Sequence, residues 1–451
     1  METQVDSLAS QANQVLMVSA VFGPNGGPGV QRSAKFAKYL PQFGWQPTVW
    51  TAGRLPELPE DDSLLEGMPA CVKIYDRGEL RDGTFEYHAC EQSYLSGALA
   101  WRFQAMHHRF SQPDPLVDWA RASVSPLVDK LTSGAFDAMY STYSPASNHL
   151  LALSLKRQTR CPWVADFRDL WTDDYRYAET TDKWRRAHRR WEQEILELAD
   201  IVVGVTPMQT EILASHVPAQ ANKFITITNG YDAEDFQYDF EKDGIQDRAT
   251  YELTYVGSAD RWRTSEALFA GMAAFARDCA NNGSQFVLRV VGHVSESVKA
   301  RFDATGARCE YTGRVDHATA IEAMRSAQAL LLCVPEGLNG GSVAPAKLYE
   351  YLASRRPILV VGPEGGDAAR IVRDTQAGVC ATFEGAQISR SLGALFAMNL
   401  KSHRDAREEF PSIDGFRRDV LAKKLAEQLE CACEGVAKTH SERMPMQEAL
   451  I

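Results

Sequence analysis

From residue 329 to 363 the chain reads ALLLCVPEGLNGGSVAPAKLYEYLASRRPILVVGP, and no other stretch limits its possible folds as strongly. Two short apolar runs, 329–334 and 358–361, bracket a Gly-rich loop and one helix. Apolar runs of that length without polar alternation suit strands buried on both faces, as in parallel sheets between helical layers. Gly337, Gly340 and Gly341 let the loop backbone approach a ligand closely and take positive φ where needed. Ser342 is placed to cap the helix, and Pro345 is tolerated in a first turn whose N–H groups lack intrahelical partners. The N–H groups of Gly340, Gly341, Ser342 and Val343, with the helix dipole behind them, favour an anion. Lys347 and Glu350 stand three apart and share the helix face nearest that loop. A cation and a carboxylate beside an anion-binding loop suit a phosphate joined to a sugar. An ordinary strand–loop–helix of a parallel sheet has the same local pattern.

The same unit opens the chain. Residues 15–20 (VLMVSA) predict a buried strand, followed by the loop VFGPNGGPGVQR, a helix over 33–43 stopped by Gly44, and a strand at 48–51. Strand, Gly loop, helix and strand begin a doubly wound α/β unit. The run GPNGGPG lacks GxGxxG spacing and no acid ends the second strand, which argues against a dinucleotide oxidoreductase. Further strands are expected at 71–75, 137–140, 163–167, 201–205 and 224–228, then at 253–256, 287–291, 309–312 and 378–382. Helical patterns fill 386–398 and 416–429, and the polar tail from about 434 is expected to be loose.

At 451 residues the chain exceeds the usual single domain. A net charge of −11, from 48 basic and 59 acidic residues, excludes the overall basic character of a nucleic-acid binder. The polar start METQVDSLASQANQ is not a signal peptide, and no apolar run approaches the ~20 residues that span a bilayer. The expected location is cytoplasmic, with any membrane contact peripheral, at the inner face. Nine scattered cysteines without a CxxC pair predict reduced, mostly buried thiols. The segment 98–110 (ALAWRFQAMHHRF) mixes aromatic and basic residues, as a packed helix or a surface facing anionic lipid would.

The run PAKLYEYLASRRPIL closely resembles the donor-site helix of family 4 retaining glycosyltransferases, and ITNGYDAEDF (Asn229, Gly230, Asp232, Phe236) resembles the pattern that closes their N-terminal domain. This resemblance implies the GT-B fold: two Rossmann-like doubly wound domains facing across a cleft. Residues 14–235 would form the acceptor-side domain, completed by a returning helix at 416–430, and 248–415 the nucleotide-sugar donor domain, with 239–247 as linker. It further implies that Glu350 holds the nucleotide ribose, that Lys347 lies close to the donor, and that Arg261 and Arg263 face its diphosphate. Gly26, Gly27 and Gly29, with Arg32 beyond them, would approach the donor phosphates, and Gly313, Arg314 and Val315 the nucleobase. The family carries a second glutamate eight residues before Glu350; here that residue is Ser342, which opens the question of the donor sugar. The pairing of YSTYSPASNHL with WVADFRDLW also resembles bacterial surface-polysaccharide glycosyltransferases, implying a glycan or lipid-linked acceptor.

Two strands that end in polar loops bring Tyr143, Ser144, Asn148, His149, Asp166, Arg168 and Asp169 near one sheet edge, where ligands of parallel sheets collect. Asp169 is the first choice for an acceptor-side base and His149 the second; an ion pair with Arg168 and a core position are their plainer roles. No enzyme nucleophile, metal or resident cofactor is expected, the nucleoside-diphosphate sugar being a co-substrate with UDP commoner than GDP in the family. A sugar-nucleotide epimerase of similar fold and a catalytically silent nucleotide-sugar-binding subunit are the competing readings.

Overall fold

The protein, a computed structural model, is described over residues 12–55, 58, 60–76, 79–80, 112–174, 181–237, 250–402 and 411–443. The segment 98–110 and the linker 239–247 lie outside the described residues. The first sheet holds β1 (Asn13–Val18), β2 (Trp45–Thr51), β3 (Lys73–Asp76), β4 (Glu79–Leu80), β5 (Ala138–Tyr143), β6 (Trp163–Phe167), β7 (Ile201–Gly204) and β8 (Phe224–Thr226). Their order is β4-β3-β2-β1-β5-β6-β7-β8, all parallel apart from the short antiparallel β4. Around it run α1 (Pro28–Tyr39), α2 (Val117–Thr132), α3 (Ala146–Thr159), α4 (Asp182–Leu198) and α5 (Pro207–Ser215).

The second sheet is fully parallel, in the order β11-β10-β9-β12-β13-β14. It is built from β9 (Thr250–Val256), β10 (Gln285–Val291), β11 (Arg308–Gly313), β12 (Ala329–Cys333), β13 (Ile358–Val361) and β14 (Gly378–Ala381). Its helices are α6 (Glu266–Asn281), α7 (Glu296–Asp303), α8 (His317–Ser326), α9 (Lys347–Ala353), α10 (Asp367–Asp374) and α11 (Gly385–Ser402). The last described element is α12 (Arg418–Arg443).

Both sheets are apolar on both faces because successive strand residues point to opposite sides. In β1, Val15 and Met17 enter one core while Leu16 and Val18 enter the other. In β12, Leu331 and Cys333 face one helical layer and Leu330 and Leu332 the opposite one. Each sheet therefore needs helices on both sides, and the strand–helix alternation supplies them.

The last helix closes the first domain, not the second. Leu421, Leu425 and Leu429 of α12 are fully buried in the same core as Val15, Met17 and Phe36. The chain crosses between domains at Gly230–Tyr231 and returns beside itself, with Tyr231 N–H donating to the Phe416 carbonyl (3.0 Å) and Arg418 N–H to that of Tyr231 (2.9 Å). A Cβ on Gly230 would lie 2.1 Å from the Phe416 oxygen, so the crossing requires glycine there. The helix continues to Arg443, which corrects the expectation of a loose tail from about 434. The thiols also differ from expectation: Cys161, Cys279 and Cys333 are buried, Cys431 is exposed and the other described cysteines are half-buried.

Candidate active site

A cavity of about 480 Å³ opens where loops at the carboxyl ends of both sheets face each other. The first domain lines it with Gly29, Arg168, Asp169, Asp173, Gln209 and Asn229, and the second with Gly257, Arg263, His317, Ser342, Val343, Lys347 and Glu350. Of the residues expected at a donor site, Arg263, Ser342, Val343, Lys347 and Glu350 thus share the second domain's wall, and Gly29 and Asp169 lie on the same cavity from the first domain.

Lys347 opens α9, which follows β12, so its stem rises from the sheet edge into the cavity. Its ammonium Nζ sits 3.6 Å from the centroid of the Tyr255 ring, a cation–π contact. Burial, and then the neighbouring Arg263, push its pKa down to about 7. Arg263 itself is paired with Asp260. Two cationic side chains converging on one wall suit an anionic group.

Glu350 stands one turn further along α9, and its Oε1 meets His317 Nε2 at 3.1 Å. That hydrogen bond raises the His317 pKa, and the Asp235 carboxylate, 4.0 Å from Nδ1, reinforces it. The pair stands between the main cavity and a smaller one of about 270 Å³ near the domain crossing. Sequence reasoning missed His317. The available signal was VDH two residues after a predicted strand: Asp316 caps Thr319 N–H (2.7 Å), which starts α8 at the sheet edge and leaves its first side chain facing the cleft.

On the opposite side, Arg168 donates to the carbonyls of Tyr143 (3.0 Å) and Ser144, and its guanidinium lies against Gly29. A Cβ on Gly29 would fall 1.7 Å from Nη1, so this glycine makes room for a protein side chain. Several neighbours expected at the cleft belong to the interior instead. Asp166 is fully buried, takes two 2.8 Å bonds from Arg32 and one of 2.5 Å from Tyr140. Arg32 also donates to the carbonyls of Ile227 and Thr228, so it ties α1 to the domain crossing and does not reach a ligand. Asn148 bonds the main chain of Ala20 and Thr142.

His149 is corrected as a candidate base. It is sealed from solvent among Tyr143, Trp163 and Phe167, with Nδ1 2.7 Å from Ser141 Oγ. Burial drives its pKa down to about 3, so it is a neutral core residue.

The donor loop also departs from expectation. Ser342 does not cap α9: Gly340–Ser342 form a separate short turn, its Oγ donates to the Asn339 carbonyl (2.8 Å), and the helix starts at Lys347. The N–H groups of Gly340, Ser342 and Val343 donate to Gly337, Asn339 and Gly340 carbonyls, which removes them as an anion cradle. Gly340 and Gly341 lie off the cavity wall and serve packing: a Cβ on Gly340 would sit 2.2 Å from the Pro335 oxygen. Gly26 and Gly27 also lie off the wall, Gly27 turning the chain into α1 at φ 127°. Gly313 and Arg314 are exposed at the end of β11 and absent from the cavity wall, where His317, Ala320 and Met324 of α8 stand instead. Arg261 points its guanidinium over the Trp262 ring, 4.4 Å from its centroid, and is exposed outside the cavity.

Comparison with known proteins adds a family likeness: the profile of the glycosyl transferase 4-like domain matches residues 26–230. The chain carries a glycosyl transferase 4-like domain. None of the curated proteins searched matches the chain in sequence. Among solved structures the chain is similar to WaaG, a glycosyltransferase involved in lipopolysaccharide biosynthesis, with TM-score 0.58 and 14% identity over 92% of this chain and 99% of that one. It is similar to the sucrose-phosphate synthase of Thermosynechococcus elongatus (TM-score 0.57, 15% identity, 96% and 98% covered). It is also similar to the UDP-GlcNAc 2-epimerase of Neisseria meningitidis bound to UDP-GlcNAc (TM-score 0.52, 14% identity, 93% and 100% covered). These likenesses establish the GT-B fold, two Rossmann-like domains around a cleft.

Proposed function

We propose that the chain is a retaining glycosyltransferase that moves a sugar from a nucleoside-diphosphate donor, UDP before GDP, to a hydroxyl of a lipid-linked or polysaccharide glycan. The observation that carries this reading is the single cavity wall on which Lys347, Arg263, Glu350 and His317 stand together. Departure of the diphosphate develops negative charge, and Lys347 and Arg263 are the cations that would meet it. Glu350, oriented by His317, would bind the ribose hydroxyls and contribute position, not proton transfer. Asp169 faces the same cavity from the acceptor-side domain and is the carboxylate that would take the acceptor proton. The donor needs no resident cofactor in this scheme. The surface-glycan assignment draws support from the likeness to WaaG, and the UDP assignment from the epimerase that holds UDP-GlcNAc. No helix among the described residues is long and apolar enough to cross a membrane, so work at the cytoplasmic face would use peripheral contact.

A thermal-shift panel with UDP, GDP and their sugars tests the site. One nucleoside diphosphate is expected to raise Tm by mass action, and Glu350→Ala to abolish that rise while the ligand-free protein melts as before. Stabilisation by no diphosphate at millimolar concentration would sink the reading. Product analysis with the stabilising nucleotide sugar then separates transfer from epimerisation and from silent binding.

A further inference from the structure

We infer that Thr206 of the first domain and Asp367 of the second are positioning residues that clasp the two domains together beside the donor loop; the inference rests on the donor-site reading above. Helix α5 belongs to the first domain, and its N-terminal donors are satisfied from two sources. Thr206 Oγ1 accepts from Gln209 N–H at 3.2 Å, an ordinary N-cap. The same hydroxyl donates to the Ser342 carbonyl of the second domain at 2.8 Å. The N–H of Met208, which Thr206 does not reach, donates at 3.0 Å to Oδ2 of Asp367, again in the second domain. Asp367 is 1% exposed and its other oxygen pairs with Arg370.

The Gly341 and Gly366 backbones and the Met208 side chain pack closely at this junction. A Cβ on Gly366 would lie 3.1 Å from the Gly341 oxygen, and one on Gly341 3.3 Å from Met208 Cε. Asn339 adds a third bond across the cleft, from Nδ2 to the Asp173 carbonyl at 3.0 Å. The loop 339–343 has already spent three N–H groups on its own turns, so its contribution is position. It leads directly into Lys347, and Ser342 stands on the cavity wall. Separation of the domains would break the Thr206–Ser342 and Met208–Asp367 hydrogen bonds together. Closure, loop position and donor affinity are therefore linked.

The test compares Thr206→Val, Thr206→Ser, Asp367→Ala and Asp367→Asn in the full chain. Donor KM and kcat, the Kd for the stabilising diphosphate, and Tm are measured for each. Thr206→Val and Asp367→Ala are expected to raise KM and Kd together by about tenfold, with kcat at saturation nearly kept. Thr206→Ser, which keeps the hydroxyl, and Asp367→Asn, which keeps an acceptor, are expected to recover most of the loss. Thr206→Val changes a single hydroxyl, so it carries the test if Asp367→Ala does not fold. Unchanged KM and Kd, or a loss of kcat alone, would overturn the inference. Small-angle scattering of the ligand-free proteins adds an arm that needs no donor: the Val and Ala variants should have a larger radius of gyration than wild type. If wild type binds no diphosphate, the donor-site reading fails, and unchanged scattering then overturns the clasp as well.

Discussion

A buried lysine with an arginine close by releases its proton near neutral pH, and Lys347 is in that position. An anion binds it only in the charged form. In the free protein that form is complete well below about 7 and is lost as pH rises through that value. Diphosphate affinity is therefore expected to weaken by up to about tenfold per pH unit above neutrality, and calorimetry should find the dependence flattened in Lys347→Arg, whose guanidinium keeps its charge. Arg32 presents the opposite case, a cation fully committed to Asp166 in a dry interior. Arg32→Leu leaves that carboxylate buried and unpaired, with an expected loss of about 3–5 kcal/mol in urea unfolding. Both residues follow a Gly-rich loop in the sequence, and composition alone does not separate them. Lys347 and Glu350 were legible because their three-residue spacing on a helix fixes a shared face. Arg32 and His149 were not, because their partners Asp166 and Ser141 arrive from other strands.

Elements were easier to read than loops. The strands showed themselves as apolar runs because both faces of each sheet are covered, and 358–361 matches β13 residue for residue. The loop before α9 misled for a physical reason: glycine permits close approach to a ligand and to another backbone equally, and here Gly340 and Gly341 approach Pro335, Met208 and Gly366. Ser342 has the chemistry of a cap, yet its hydroxyl turns back to Asn339. The last helix was legible in type and in its return to the first domain, while its length was not, since a polar surface pattern does not announce where a helix ends. Its buried stripe makes a direct prediction. Leu425→Ala, at a fully buried position in the first domain's core, should cost about 2–5 kcal/mol and lower the urea midpoint, without contact to the cavity.

At the scale of the molecule, two parallel sheets present their carboxyl edges to one cavity, and three hydrogen bonds beyond the hinge keep the edges together. The first domain is not a continuous piece of sequence, because α12 supplies Leu421, Ala422, Leu425, Ala426, Leu429 and Ala432 to the core begun by β1. Deleting residues from 418 onward is expected to destroy cooperative melting of the first domain, visible as loss of near-ultraviolet dichroism and gain of dye binding. During synthesis the same connection imposes an order. The portion made first emerges from the ribosome with an open seam along α1, and that seam stays open through all the residues of the second domain. It is closed only once α12 has left the tunnel, after the whole second domain. The half of the protein that is translated first is the half that finishes folding last.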